Sequence, residues 1–166
     1  MPAFQDFYPD HFSHCFGCGK NNPQGLHLKT CWDDEAPEVT LTRFTPPAFY
    51  SGGVPENVYG GLIAALFDCH GTASAAAFAY RAEGREMGDA ANENSPAIRY
   101  VTASLKVDFL RPTPQHEELT LRARLVSLEG RKVRLEMTLS AKNTVCAKGE
   151  MLAVRFAERI QESGGR

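Results

Sequence analysis

Apolar and polar side chains alternate with a period of two along six segments of the chain, on either side of one long apolar segment. Period-two alternation is typical of strands that bury one face. Two such segments, residues 26–32 and 38–44, precede the apolar segment, and four, residues 98–110, 119–128, 132–141 and 145–156, follow it. Short connections between neighbouring strands predict antiparallel pairing.

The long apolar segment runs from Asn57 to Tyr80 and predicts one helix that extends to about Ala82, because alanine and other apolar side chains fill it. Glu56 or Asn57 is expected near its N-cap. The segment is long enough to cross a membrane, but an acid and a histidine interrupt it, so a buried helix is predicted. Two strands, one helix and four strands predict an α+β fold, with one antiparallel sheet wrapped around one long central helix.

Length and composition fit a single domain over residues 1–166, with a turn-rich N-terminal extension over 1–25 and a flexible tail over 157–166. The net charge of −2 gives no sign of a nucleic-acid or membrane-surface partner. The five cysteines are an odd count, and the N-terminus lacks the apolar core of a secretory signal. Both observations argue for a reducing compartment, so a cytoplasmic protein is expected.

Cys15 and Cys18 lie in a turn-rich stretch, Cys-Phe-Gly-Cys-Gly, that allows two interpretations. The spacing is that of half a zinc site, and the nearby residues that could complete it are Cys31 and His14 or His27. The alternative is a compact turn that packs small buried thiols. We prefer the turn because Cys31 falls within a predicted strand, and no metal site is expected.

Two glycines and one acid of the predicted helix are candidates for chemistry. Gly60 and Gly61 immediately precede the apolar run, so the helix is expected to begin there and to present free N–H groups that bind oxyanions. Asp68 is the only carboxylate of the apolar segment. An acid in such surroundings needs a partner or a function. From the residues alone, a structural ion pair or cap and a catalytic role for Asp68 are equally open.

Four stretches of the chain carry a resemblance to a known family. They are Cys15–Gly19 with the Asn-Pro and Gly-Leu pairs that follow it, Tyr59–Asp68 at the helix start, Leu105–Pro112 after the helix, and the last three strands in spacing only. Together they resemble the hotdog-fold acyl-CoA thioesterases, in the branch that includes the phenylacetate-pathway and 4-hydroxybenzoyl-CoA thioesterases. Tyr59 stands where that family usually has His. The resemblance implies either that its hydroxyl orders the same turn or that the activity is altered.

The resemblance implies hydrolysis of an acyl-CoA thioester, with the N–H groups of Gly60 and Gly61 as the oxyanion hole and Asp68 as general base or nucleophile. Gly60 and Asp68 are eight positions apart, which is about 12 Å along a helix. One helix is therefore not expected to bring both to one thioester. Two copies are expected to share each site, in a homodimer or a dimer of dimers. CoA enters as part of the substrate, and no cofactor is expected.

Arg111 is the preferred candidate for the CoA phosphates, and Asn57, in the loop before the helix, is a candidate substrate-binding residue. Cys69 and His70 are expected to pack in the interface between the two copies. They are not expected to form a catalytic pair, because adjacent helix positions point about 100° apart. Two other functions are open: a non-catalytic acyl-CoA or lipid-binding module, and a hotdog dehydratase or hydratase. The dehydratase is disfavoured because such chemistry typically uses a His, and Tyr59 occupies that position.

Overall fold

One helix and one six-stranded antiparallel sheet make up most of the regular structure. A computed structural model of the chain describes residues 2–89 and 96–156. Helix α1 spans Gly60–Ala82, and the strands are β1 (Thr30–Trp32), β2 (Val39–Phe44), β3 (Tyr100–Phe109), β4 (Leu119–Glu129), β5 (Lys132–Ala141) and β6 (Thr144–Arg155). Short 3-10 helices occupy Phe4–Phe7, Asp10–Phe12 and Ala48–Tyr50. The α+β prediction, with one sheet around one central helix, is confirmed.

The strands follow the order β1-β2-β4-β5-β6-β3 across the sheet, and every neighbouring pair is antiparallel. Tight turns join β4 to β5 and β5 to β6, so these strands form consecutive hairpins. β3 follows the helix in sequence but lies at one edge of the sheet, beside β6. The three-residue β1 forms the other edge. The flexible tail predicted for residues 157–166 lies outside the described residues.

Helix α1 is buried on nearly all sides, because small residues let the sheet approach it closely. A Cβ on Gly71 would lie 2.5 Å from Cε of Met151, and a Cβ on Gly149 would lie 3.1 Å from the ring of Phe67. By length and composition α1 could cross a membrane, but 78% of its most apolar window is buried inside the fold. The prediction of a buried helix is confirmed.

Strand β1 is shorter than predicted. It begins at Thr30 rather than at residue 26, because His27 has a φ of 51°. A positive φ is incompatible with extended strand backbone. The N–H of Leu26 instead donates to the carbonyl of Phe16 at 2.8 Å. The residues before Thr30 therefore belong to the N-terminal loop and not to the sheet.

Helix α1 begins at Gly60, as predicted, but its N-cap differs from the prediction. The N-cap is Tyr59, in an extended conformation, and no described side chain caps the helix. The N-cap thus falls two residues after Asn57, the later of the two positions expected near it. The carbonyl of Asn57 accepts a hydrogen bond from the N–H of Gly52 at 2.7 Å, so this residue belongs to the loop that precedes the helix.

A series of buried hydrogen bonds links the N-terminal segment to α1. The amide of Gln5 bonds to the N–H of Thr30 at 2.8 Å and to its hydroxyl at 3.0 Å. The hydroxyls of Thr30 and Thr42 are 2.9 Å apart, and the Thr42 hydroxyl lies 2.9 Å from Nδ1 of His70. His70 is fully buried inside its own chain, so the prediction that it packs in an interface is wrong. Burial lowers the pKa of His70 to about 3.

The buried, neutral His70 predicts a loss of stability in mild acid. The unfolded chain binds a proton at this residue below its ordinary pKa of about 6.5, whereas the folded chain does not bind one until its pKa of about 3 is reached. The free energy of unfolding is therefore expected to fall by about 2 kcal/mol between pH 7 and pH 5. Denaturant unfolding at the two pH values measures this change.

The matched variants are His70→Asn and His116→Asn. An Asn at position 70 can keep a bond to Thr42 without titrating, so its pH dependence is expected to be nearly flat. His116 is exposed and has a φ of 63°, which Asn tolerates, and its replacement is expected to keep the wild-type slope. Equal slopes in wild type and His70→Asn would contradict the prediction.

Candidate active site

A groove of about 330 Å³ lies at the N-terminus of α1. The loop before the helix and the segment after β3 meet there, because the N–H of Val58 donates to the carbonyl of Thr113 at 2.8 Å. The groove is lined by Asn57, Val58, Gly60, Ile63, Phe109, Leu110, Arg111, Pro112 and Thr113. The structure therefore brings three predicted site residues, Asn57, Gly60 and Arg111, to one groove.

The first turn of α1 leaves two N–H groups available. The carbonyl of Tyr59 accepts hydrogen bonds from the N–H groups of Leu62 and Ile63, at 3.1 and 3.3 Å. The N–H groups of Gly60 and Gly61 have no acceptor anywhere in residues 2–89 and 96–156. These two donors are the ones that the sequence predicts at the helix start. In this position they can bind an oxyanion.

The two glycines have different surroundings. A Cβ on Gly60 would lie 3.5 Å from the ring of Phe109, which is ordinary van der Waals contact. A Cβ on Gly61 would overlap the ring of Tyr59, which folds back over the helix start. Tyr59 is 55% exposed, and its hydroxyl has no hydrogen-bond partner within the part of the chain that is described. Tyr59 therefore contacts this turn with its ring.

Asp68 lies more than two turns further along α1 and is not among the residues that line the groove. Its Oδ1 accepts a hydrogen bond from the hydroxyl of Thr102 at 2.5 Å. The side chain is half-buried, and no donor reaches Oδ2 from any described residue. Within one chain, Asp68 and Gly60 thus belong to different parts of the surface.

Thr102 reaches Asp68 because β3 contains a β-bulge. The pairing of β3 with β6 shifts register between Thr102 and Ser104, so Thr102 lies on the same face as Leu105, which packs against the core. Strict alternation would put Thr102 with Ser104 on the opposite face. Bulges commonly re-aim a side chain in this way. The sequence does not predict the place of Thr102, because no glycine or other local signal marks the bulge.

Arg111 is exposed at the groove, where its Nη1 donates to the carbonyl of Val145 at 3.0 Å. No carboxylate of the described chain lies within ion-pair distance of this guanidinium. Lys106, which lies on β3 itself, is 2.9 Å from Asp108 and 3.1 Å from Glu150. The charge of Lys106 is therefore already matched, and Arg111 is the better placed of the two for an anion at the groove.

Cys15 and Cys18 have a third thiol beside them, which their spacing in the sequence does not predict. Their sulfurs and that of Cys69 all lie within 4.8 Å of one another. The other ligands that the sequence suggested, Cys31 and His14 or His27, do not belong to this group. Cys15 is exposed, so the prediction of a turn with buried thiols is wrong for it. Cys69 is buried against the N-terminal loop of its own chain, which also overturns its predicted place in an interface.

Comparison with known proteins agrees with this architecture. The sequence model of the thioesterase superfamily matches residues 56–148. The crystal structure of a thioesterase superfamily protein from Shewanella loihica PV-4 is 38% identical to the chain. That similarity covers 90% of this chain and 100% of the other, with a TM-score of 0.63. Among curated proteins, none matches the chain.

Two further structures share the fold at lower identity. The Escherichia coli PaaI protein, from the phenylacetic acid degradation operon, is 20% identical over 80% of this chain and 81% of its own, with a TM-score of 0.57. A thioesterase from Thermus thermophilus, complexed with coenzyme A and zinc, is 18% identical over 71% and 79%, with a TM-score of 0.50. The family model covers more than half of the chain. The chain therefore belongs to the thioesterase superfamily and has its hotdog fold.

Proposed function

We propose that the chain hydrolyses an acyl-CoA thioester to a free acid and CoA, at a site that two copies of the chain share. The observation that carries this proposal is the pair of available N–H groups on Gly60 and Gly61, at a helix start beside a groove that also holds Arg111. Such N–H groups stabilise the oxyanion formed from a thioester carbonyl, and a guanidinium suits the phosphates of CoA. Membership of the thioesterase superfamily supports thioester hydrolysis in general.

In the proposed reaction, Gly60 and Gly61 donate to the carbonyl oxygen as it becomes negatively charged. Asp68 takes a proton from water, and the water oxygen bonds to the carbonyl carbon. The carbon–sulfur bond then breaks, and CoA leaves as a thiolate that needs little acid assistance because its thiol pKa is about 8.5. Thr102 holds Oδ1 of Asp68, so Oδ2 is the oxygen proposed to accept the proton. Direct attack by the carboxylate is the alternative.

The distance between Gly60 and Asp68 on one helix is the reason for proposing a shared site. β3 offers the surface for a second copy, because it is an edge strand of ten residues. Val101, Phe109 and Leu110 are about half exposed along or just after it, at 48%, 56% and 48%. Long apolar edge strands pair readily with another chain. Two β3 edges joined about a two-fold axis would set the two α1 helices antiparallel, with Gly60 of one copy near Asp68 of the other.

Replacement of Gly60 by Pro is expected to remove one oxyanion donor without disturbing the helix. Position 60 is the first helical residue, where Pro is favoured and its missing N–H costs no helical bond. Tyr59 has a ψ of 128°, which a following Pro accepts. Loss of the donor is expected to lower kcat by about 100-fold or more, as measured by free-thiol release from an acyl-CoA.

Gly60→Ala is the matched control, because it keeps the N–H and its Cβ has ordinary contact with Phe109. It is expected to retain far more activity than Gly60→Pro. Thermal unfolding of both variants checks that the helix start is intact. Equal kcat values for the Pro and Ala variants, with equal stability, would rule out a donor role for the Gly60 N–H.

Replacement of Asp68 by Asn is expected to abolish most of the activity while the fold and the oligomer persist. Loss of a general base or nucleophile lowers the rate by about 100- to 10,000-fold. Thiol release from a panel of aliphatic and aromatic acyl-CoAs measures the effect, with size-exclusion chromatography alongside. Asp10→Asn, a highly exposed change in the N-terminal segment, is the control and is expected to be as active as wild type.

Single turnovers in isotope-labelled water distinguish the two roles of Asp68. General-base catalysis puts the label in the product acid, whereas carboxylate attack can leave it on the peptide that contains Asp68. A wild-type protein that binds acyl-CoA but releases no thiol from any member of the panel would instead identify a non-catalytic binding module. Activity that survives in Asp68→Asn would refute the proposed role of this acid.

Mixing two inactive variants tests the shared site directly. A heterodimer of Gly60→Pro and Asp68→Asn contains one site with both native groups and one site with neither. Random exchange of equal amounts is therefore expected to restore about a quarter of wild-type activity. If each chain builds its own site, every site in the mixture carries one defect, and activity stays at the level of the separate variants.

A further inference from the structure

Three cysteine sulfurs meet where the N-terminal loop crosses α1. The Sγ atoms of Cys15, Cys18 and Cys69 all lie within 4.8 Å of one another, and those of Cys15 and Cys69 are 3.6 Å apart. A tetrahedral zinc ion with zinc–sulfur bonds of about 2.3 Å separates its sulfurs by about 3.8 Å. The cluster is thus close to the geometry of three ligands around one ion before any ion is bound.

The loop backbone is shaped around these sulfurs. A Cβ on Gly17 would overlap the Cys69 sulfur, and a Cβ on Gly19 would lie 2.5 Å from the backbone of Cys15 and of Ser13. The N–H of Gly19 donates to the carbonyl of Cys15 at 2.8 Å, which closes the turn. Both glycines are therefore needed for the loop to bring two thiols onto the third.

Hydrogen bonds join the thiols of the cluster to one another and to the loop backbone. Hydrogen bonds from the thiols of Cys18 and Cys69, and from the backbone N–H groups of Cys18 and Gly17, lower the pKa of Cys15. Because they bond to Cys15, the pKa of Cys18 is raised to about 12 and that of Cys69 is also raised. Zinc takes its sulfur ligands as thiolates, so its binding releases thiol protons.

Arg99 supplies a positive charge near the cluster. Its guanidinium lies 3.6 Å from the centre of the Tyr8 ring, and its charge acts to lower the pKa of Cys18. Its Nη1 is buried and has no hydrogen-bond partner among the described residues. Three thiolates around a divalent cation carry a net charge of −1, which this guanidinium offsets.

We propose that Cys15, Cys18 and Cys69 bind one zinc ion, which clips the N-terminal loop to the central helix. No other His, Cys, Asp or Glu within the described ranges belongs to the cluster. Since Cys15 is exposed, water can enter and take the fourth position. The hard oxygen-binding cations are excluded by the all-sulfur donor set.

The zinc clip is separate from the proposed thioesterase chemistry. Cys69 follows Asp68 directly, but adjacent helix positions point about 100° apart. Asp68 bonds to Thr102 of β3, whereas Cys69 contacts the N-terminal loop. In this proposal the zinc ion ties the N-terminal loop to the helix and touches no reacting atom. The protein can therefore lose metal binding without losing hydrolysis, and the reverse, so the two proposals are tested separately.

Cobalt(II) titration of the reduced, metal-free full-length protein tests the proposal. We expect one cobalt ion per chain, with the intense charge-transfer absorption of several cobalt–thiolate bonds, and displacement of the ion by zinc. Zinc is also expected to raise the temperature of thermal unfolding, because it binds the folded chain. A reduced protein that develops no charge-transfer absorption would overturn the proposal.

Cys15→Ser, Cys69→Ser and Cys31→Ser identify the ligands. Mutation of a residue that only hydrogen-bonds to a metal ligand lowers metal affinity by about 10- to 100-fold. Loss of a ligand itself is therefore expected to weaken zinc binding by at least about 100-fold. Cys15 is exposed, so its variant is expected to fold even if the buried Cys69 variant does not. Cys31 contacts the carbonyl of Leu41 outside the cluster, and its variant is expected to bind zinc like wild type. Equal affinity in Cys15→Ser and Cys31→Ser would refute the site.

Discussion

Close approach between α1 and the sheet is the constraint on which the rest of the structure depends. A helix that is buried on nearly all sides cannot carry large side chains everywhere, and Gly71 and Gly149 mark where contact is tightest. Added methylene groups in such a core force side chains and backbone to shift. The sheet packs against the helix along its length and keeps it rigid. Gly60 and Gly61 at the helix start and Asp68 further on are therefore held at a fixed separation.

Strand β3 links this packing to the proposed chemistry. One end of the strand contributes Thr102, which holds Asp68, and the other end contributes Phe109, which lines the groove with Gly60. The same strand is an edge of the sheet with exposed apolar side chains. A single element thus lies beside both halves of the proposed catalytic set and offers the surface for the second copy that would unite them.

Hydrophobic patterning is enough to predict the fold class, because the strands alternate over most of their length and the helix is one continuous apolar run. The helix start at Gly60 is also predictable, since two glycines before an apolar run are a local signal. The bulge that aims Thr102 is not predictable from one sequence, because it depends on pairing with β6, some 50 residues away. The meeting of Cys69 with Cys15 and Cys18 likewise depends on how the loop crosses the helix.

The region of family similarity is shorter than the folded unit. It covers residues 56–148, whereas β1, β2 and the Gln5 amide precede it and β6 runs on to Arg155. A fragment cut to the similar region would lose the Thr42 hydroxyl that bonds His70, and would leave a polar ring in the core without a partner. It would also expose the face of α1 that β1 and the N-terminal turn cover. Autonomous folding therefore requires the residues before position 56 as a full part of the module.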